Sequence, residues 1–298
     1  MYHTVKNISS RLRRLFREAL WWLLIIFIAV ALATAMRVLL LASFKVGGYS
    51  MFPALHGGDH VLVNKMIPGP RVPVSWGGFF TGKDLRLRRL AGYRKVRRND
   101  VLVFNFPYTN RHKLELDMNV YYAKRCVAIP GDTFYIDSGV YRVKNVRDTL
   151  GNLAYQQKVA KAREQDFAPE AYRCHPHHPA YGWNLKSFGP LYVPRAGDTV
   201  PVDTLSVLLY KHIIEYEINS KVAIAGGQVM LGGAPIERYV FKKNYYFVAG
   251  DHATDSRDSR YWGLLPEDHI VGKAFTVWKS KDPKTGEWRW KRFFTRIM

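Results

Sequence analysis

Few residues of this chain could do chemistry by type and setting. One serine, Ser50, lies in "VGGYSMFPAL" (46–55) just after a long apolar run, and one lysine, Lys124, lies in "VYYAKRCVAIPGD" (120–132) among apolar and aromatic neighbours. A serine hydroxyl is a poor nucleophile at neutral pH and needs a base within hydrogen-bond reach. No G-x-S-x-G elbow surrounds Ser50, and none of the ten histidines presents a strong pairing with an aspartate, so a Ser-His-Asp hydrolase finds no support. A lysine can take the role when burial keeps its amine uncharged. Lys124 stands in such a stretch, where a charged side chain is otherwise costly. Taken alone, Ser50 reads as a turn or cap hydroxyl, Lys124 as an edge-strand charge, and "DSRDSR" (255–260) as a solvated turn.

Other reactive groups point elsewhere. "CHPHH" (174–178) offers a thiol and three imidazoles, but adjacent histidines in a Pro-containing loop read as solvated, so no metal is expected. Cys126 and Cys174 are too few for a disulfide scaffold and lack the spacing of a structural zinc site; a single bridge between them stays open.

The elements that must position Ser50 and Lys124 begin with Ala19 to Met36, "ALWWLLIIFIAVALATAM", an uncharged run that spans roughly 27 Å as a helix, close to a bilayer's hydrocarbon thickness. Lys6, Arg11, Arg13, Arg14 and Arg17 precede it, which places the short N-terminus in the cytoplasm and everything after Arg37 outside. The run is longer than a usual signal-peptide core, so it is read as a retained single-pass anchor despite "ATA" at Ala33 to Ala35. The net charge of +21, from 45 Lys and Arg against 24 Asp and Glu, asks for an anionic partner. "RLRRLAGYRKVRR" (86–98) could bind nucleic acid, but outside a membrane a lipid surface or a solvated loop is the better reading, and no nucleic acid is expected. "WRWKRFF" (288–294) reads equally as an edge strand or an interfacial contact.

Beyond Lys45 the text turns to short β-rich segments punctuated by Gly and Pro: 60–66, 100–106, 120–129, 133–143, 245–250 and 270–278. Two stretches interrupt them, a Pro, Gly and Arg-rich excursion at 67–98 and a polar stretch at 144–190 with helical character around "NLAYQQKVAKAREQDF". The expected fold is mainly β: an antiparallel catalytic core with an inserted second β-rich subdomain, preceded by one transmembrane helix. The expected division is 1–18 cytoplasmic, 19–41 anchor, 42–143 and 241–298 core, and 144–240 insertion.

Four boxes in order, "SMFPAL" (50–55), "GDHVLVNK" (58–65), "KRCVAIPGD" (124–132) and "GDHATDSRDSRYWGLLPEDHIVGKA" (250–274), resemble those of bacterial type I signal peptidases, membrane-anchored Ser/Lys endopeptidases. The boxes and their connecting strands cover about half of the chain, and "AFTVWKSKDPKTGEWRWKRFF" (274–294) is similar to the family's final segment. The resemblance implies Ser50 as nucleophile, with its backbone N–H in the oxyanion hole, and Lys124 as general base. It implies Ser256 as the hydroxyl that orients the amine, and Asp258 with Arg260 as a charged pair supporting the site. Met51, Leu55, Tyr122 and Ala123 match walls of pockets for small side chains. Further implications are removal of signal peptides after Ala-X-Ala, no cofactor, and a catalytic domain on the periplasmic side of a bacterial inner membrane. The chain departs from the family pattern at Gly48, where many Gram-negative members carry a hydroxyl, at Ala54, where threonine is usual, and at Asp255, where asparagine is common. It also shows one spanning run where Gram-negative members often have two. Other readings are a self-cleaving repressor relative with the same dyad, a non-catalytic membrane-anchored relative, and a processing peptidase for one secreted partner. The repressor reading lacks a helix-turn-helix ahead of the serine, and the intact Ser50, Lys124 and Ser256 set counts against the non-catalytic one.

Overall fold

The computed structural model describes residues 2–74, 87–108 and 113–298. The helix α1 (Tyr2–Ala35) runs into a π-helical turn, Met36–Leu40, and from there directly into strand β1 (Leu41–Lys45). From Arg13 to Leu40 this helix is 28 residues, long and apolar enough to cross a membrane, and its most apolar stretch is not buried by the rest of the chain. Trp21 is 61% exposed and Phe27 70% exposed, which suits a helix whose solvent is lipid.

The main body is an antiparallel sheet built from β1, β2 (Asp59–Asn64), β5 (Val101–Asn105), β6 (Tyr121–Ala128), β15 (Tyr245–Ala249), β16 (Leu265–Pro266), β17 (Ile270–Ser280) and β18 (Thr295–Arg296). Its order is β1-β2-β17-β5-β6-β15-β16, with β18 along β17. The 11-residue β17 is the spine. One edge pairs with β2, and the other with β5 and then β18. Its register shifts between Ile270 and Gly272, between Ala274 and Thr276, and between Val277 and Lys279, and such bulges bend a strand and increase its twist. At Gly272 a Cβ would lie 2.4 Å from the Asn64 carbonyl oxygen, so only glycine permits the close passage of β17 over β2. A short pair, β3 (Arg71–Pro73) with β4 (Leu87–Arg89), edges this body. Residues 75–86 of the basic excursion read at 67–98 lie outside the described residues.

The stretch 133–143, one strand in the sequence reading, is instead the hairpin β7 (Thr133–Asp137) and β8 (Val140–Val143). Ser138 and Gly139 turn it with φ of 49° and 84°, the left-handed pair that a tight hairpin needs. β7 pairs onward with β9 (Phe188–Tyr192). Around these three strands lie α2 (Leu153–Lys161), α3 (Pro169–Tyr172), the pair of β10 (Thr199–Pro201) with β14 (Arg238–Val240), α4 (Ser206–Ile218), and a meander of β11 (Val222–Ala225), β12 (Gln228–Leu231) and β13 (Ala234–Ile236). Helix α4 starts where the Asp203 carboxylate accepts from the Leu205 and Ser206 N–H groups, and it buries Val207, Tyr210, Ile213 and Ile214 on one face. The last turn of α4 carries Glu217, whose carboxylate accepts from the Tyr239 and Tyr245 hydroxyls, both at 2.8 Å.

Strand β15 is buried on both faces, as its unbroken apolar text implies. Tyr245, Phe247 and Ala249 enter the core of the 133–241 region, where the Phe247 and Phe134 rings stack at 4.2 Å; Tyr246 and Val248 enter a second core with Leu102, Phe104 and Cys126. A third core holds Met51, Leu55, Val61, Val63, Val101, Val103 and Ile297.

At the edge of that third core Asp59 is fully buried and accepts from Arg292 at 2.5 and 3.0 Å, from the Ser280 hydroxyl at 2.6 Å and from the His56 N–H at 2.8 Å. Burial pushes its carboxyl up, but these donors outweigh burial and hold it below the usual carboxylate range. Asp59→Ala leaves the donors stranded and is expected to cost about 2–4 kcal/mol, less than a wholly dry pair because Arg292 is partly solvated. In a melt followed by circular dichroism at neutral pH, that is a fall of roughly 5–10 °C. Since the folded carboxyl titrates below its unfolded value, the gap between variant and wild type should be full at neutral pH and close as the pH falls through the lowered value.

Candidate active site

The turn that carries Ser50 is tied at both ends. Val46 donates to the Asp59 carbonyl and Gly58 to the Val46 carbonyl, both at 2.8 Å, which closes the loop between β1 and β2. Within it, Phe52 N–H donates to the Tyr49 carbonyl and Leu55 N–H to the Met51 carbonyl, both at 2.9 Å. Met51 is 2% exposed and Leu55 fully buried, so the two residues plug the turn into the third core from below. Arg292 donates to the Ala54 carbonyl at 3.1 Å. Ser50 sits at the crest, and among the described residues its N–H makes no hydrogen bond within the protein, which leaves that donor for an incoming group.

Lys124 comes from β6, opposite Leu102 of β5, and is 2% exposed. Its Nζ is hydrogen-bonded to Ser50 Oγ. Burial lowers the amine from 10.5 to about 8; Asp258 opposes that, Arg260 adds to it, and Asp255 and Asp251 oppose it more weakly. An uncharged amine is therefore accessible near neutral pH, and an uncharged amine can take the serine proton.

Behind the pair, Asp258 is the N-cap of the one-turn helix α5 (Ser259–Trp262), its carboxylate accepting from the Arg260 N–H at 3.2 Å and the Gly250 N–H at 2.9 Å. Arg260 Nε and Nη2 each reach that carboxylate at 2.8 Å, and Nη1 reaches the Ala253 carbonyl at 2.9 Å. Asp258 is fully buried and Arg260 is 1% exposed. Burial would neutralise the carboxyl, but the guanidinium beside it keeps it ionised. The pair thus holds the 250–260 loop in shape. Ser256 is 8% exposed; its carbonyl accepts from Arg260 Nη2 at 3.3 Å, while its hydroxyl is buried with no hydrogen-bond partner.

Three further groups at the site went unmarked in the sequence. A Cβ on Gly250 would lie 2.2 Å from Ser256 Oγ and 2.4 Å from the Ser50 carbonyl oxygen, so the glycine lets the two loops meet. His252 N–H donates to that same Ser50 carbonyl at 3.1 Å. Arg125, next to Lys124, pairs through two 2.6 Å bonds with Asp251 and also reaches the Asn99 and Met298 carbonyls. The signal for Gly250 was available: a glycine ending a fully apolar strand marks a close backbone approach.

The four residues expected as pocket walls separate. Met51 and Leu55 are buried in the third core, against which the half-buried Phe44, Val46 and Ala123 pack. Tyr122 alternates to the other face of β6, shared with Lys124, whose Nζ lies 5.7 Å from its ring centre, and its ring packs against Phe106 at 4.7 Å. Cys126 and Cys174 are both free and buried. In "CHPHH" the His175 and His177 rings meet the Leu209 and Tyr261 carbonyls, and His178 accepts from the Ala180 N–H.

The structure thus brings a serine hydroxyl into hydrogen bond with a buried lysine amine. The family model for signal peptidases, peptidase S26, matches residues 19–279, and the chain belongs to that family. It is 26% identical over 294 residues to signal peptidase I of Buchnera aphidicola, with 96% of this chain and 82% of the relative covered. It is 28% identical over 302 residues to signal peptidase I of Haemophilus influenzae, with 94% and 76% covered. Among solved structures, a signal peptidase I from Enterococcus faecalis aligns with 60% of this chain and 97% of its own at 17% identity and a TM-score of 0.30. As a member of the family the chain is a serine peptidase that removes signal peptides.

The amine of Lys124, followed by NMR with labelled lysine, should titrate with a midpoint near 8 rather than 10.5. Asp255 is exposed and its charge favours the protonated amine, so Asp255→Asn should move the midpoint further down; an upward move would overturn the electrostatic account. Gly250→Ala should displace the Ser50 carbonyl and lower peptidase turnover by at least about tenfold while the circular dichroism spectrum persists.

Proposed function

We propose that Ser50 and Lys124 are the catalytic dyad of this signal peptidase, and that it cleaves exported preproteins after small residues in an Ala-X-Ala pattern. The observation that carries this reading is the hydrogen bond between Ser50 Oγ and a buried Lys124 amine whose proton affinity is lowered to about 8. Uncharged Lys124 takes the hydroxyl proton as Ser50 Oγ attacks the scissile carbonyl, and the oxyanion meets the unengaged Ser50 N–H. Lys124 then gives that proton to the leaving amine. Water, deprotonated by the same amine, attacks the acyl ester; the tetrahedral adduct breaks its bond to Ser50 Oγ, which takes the proton back from Lys124, and the new C-terminal acid leaves as carboxylate after losing its proton to solvent. We assign to the Ser256 hydroxyl, unpartnered beside Gly250, the turning of the amine towards Ser50. Asp258 and Arg260 hold the loop without entering the reaction.

The half-buried Phe44, Val46 and Ala123, packed against the core that holds Met51 and Leu55, offer shallow apolar ground, which admits alanine and resists larger groups. The apolar helix supports a membrane anchor, which we assign to a bacterial inner membrane. The basic residues ahead of it favour a cytoplasmic N-terminus and a periplasmic catalytic body. Anchoring serves the chemistry, because the substrate's own apolar segment lies in the same bilayer and tethering raises the local concentration. On this division residues 42–143 and 241–298 make the catalytic core, with 144–240 inserted.

The test is cleavage of a preprotein with an Ala-X-Ala site by the full chain in detergent. Wild type should cut at that site, while folded Ser50→Ala and Lys124→Ala lose at least about a thousandfold in turnover. Lys124→Arg should be equally inert, because a guanidinium stays protonated. The rate should rise with pH and level off above about 8, as the amine loses its proton. Undiminished cleavage by Ser50→Ala sinks the assignment.

A further inference from the structure

Helix α2, in the stretch that follows the β7–β8 hairpin, approaches the turn that carries Ser50 through its contact with Phe52. It is keyed in by Gln156, 1% exposed, which accepts from the Tyr141 N–H at 2.9 Å and donates to the Leu150 carbonyl at 2.6 Å. Its first turn is capped by Asn152, whose side chain accepts from the Tyr155 N–H. The neighbouring side chain, Tyr155, packs half-buried against the core of this region and also meets two rings beyond it. It meets His252 at 4.7 Å, edge to face at 78°, and Phe52 at 6.1 Å and 89°. Phe52 and His252 themselves lie 6.3 Å apart, and Phe52 also packs on His56 at 4.9 Å. Lys158, one turn along α2, covers the Tyr155 ring at 4.0 Å.

Both rings that Tyr155 holds belong to segments that fix Ser50. Phe52 is two residues beyond the serine and closes its turn through the bond to Tyr49; His252 carries the N–H that holds the Ser50 carbonyl. Met51 goes down into the core while Phe52 goes sideways to α2, so the turn is pinned from two directions. The tyrosine hydroxyl makes no hydrogen bond within the protein among the described residues, which leaves the ring as the working part.

We propose that Tyr155 is a positioning residue for this peptidase: its ring clamps Phe52 and His252 and thereby holds Ser50 in register with Lys124. The inserted region is then part of the catalytic machinery's support and not a passive decoration of the sheet. The inference rests on the dyad reading above, since it is the Ser50 to Lys124 register that the clamp maintains. The rings are half-buried, so losing one should loosen the turn without unfolding the chain.

The test compares Tyr155→Phe and Tyr155→Ala by two measurements on the full chain in detergent. In steady-state cleavage of an Ala-X-Ala peptide, Tyr155→Ala should lower kcat about tenfold or more with KM within about twofold, and Tyr155→Phe should match wild type. In hydrogen exchange, peptides covering 49–56 and 250–256 should exchange faster in Tyr155→Ala and at the wild-type rate in Tyr155→Phe. A raised KM at unchanged kcat overturns the proposal in favour of a substrate contact, and equal damage by both variants overturns it in favour of the hydroxyl. Unchanged exchange in Tyr155→Ala overturns it outright. Should wild type cut nothing, the dyad reading fails on its own control, and the exchange data still decide whether Tyr155 clamps the Ser50 turn.

Discussion

An amine accepts a proton only while it is uncharged, and in this chain that condition rests on keeping Lys124 out of water. Burial is the largest influence on its proton affinity, and the two nearest charges act in opposite directions: Asp258 favours the protonated amine, and Arg260 opposes that. The pairing of those two residues is therefore more than a brace. A lone carboxylate in that position would trap Lys124 as an ammonium, and a lone guanidinium would be a stranded charge in a dry site. Together they give the loop four hydrogen bonds to the carboxylate while their charges act on the amine in opposite directions.

The same requirement explains the shape of the sheet. A flat sheet cannot enclose a side chain from one of its own strands, whereas bulges along β17 curl this one so that the loop from β1 to β2 and the loop after β15 arrive over β6 from two sides. The two loops touch at Ser50, Gly250 and His252, where only a glycine fits. Arg125, Asp251 and the Met298 carbonyl tie the underside of this junction, so the residue next to Lys124 carries strand, loop and chain end in one group.

Much of this was legible in the sequence and some was not, for reasons that are physical. The strands of the main sheet stand out because β-branched and aromatic runs at 59–64, 101–105, 121–128 and 245–249 are bounded by turn residues, and a lysine within one of them is costly enough to be noticed. The hairpin at 133–143 was hidden because Ser138 and Gly139 interrupt an otherwise continuous β pattern for only two residues. Helix α4 was hidden because "SVLLYKHIIEYEI" is rich in β-branched residues, and its helical state is settled by the Asp203 cap and by packing, not by propensity. Within the site, Ser50, Lys124, Ser256, Asp258 and Arg260 could all be named beforehand and do gather in one place. What spacing could not reveal is which ring meets which. The separation of Tyr122 from Ala123 follows from strand alternation, but the approach of Tyr155 to His252 joins residues 97 positions apart through a fold the local text does not encode.

That distant approach bears on how the segment between β8 and β15 sits on the main sheet. Such a segment can hang from the sheet freely, or it can share a core with it. Here β15 gives one face to each side: Phe247 stacks on Phe134 of the hairpin, and Val248, the next residue, packs with Phe104 and Cys126 beneath the sheet. Two residues further on the same chain becomes the Gly250 to His252 loop that holds Ser50. Any shift of the core around Phe134 must then move β15, and with it the loop, because a packed interior transmits displacement instead of absorbing it. The aromatic contact from α2 makes a second route to the same turn, so this region touches the segments beside Ser50 both through the strand that leads to the loop and through Tyr155 on Phe52 and His252.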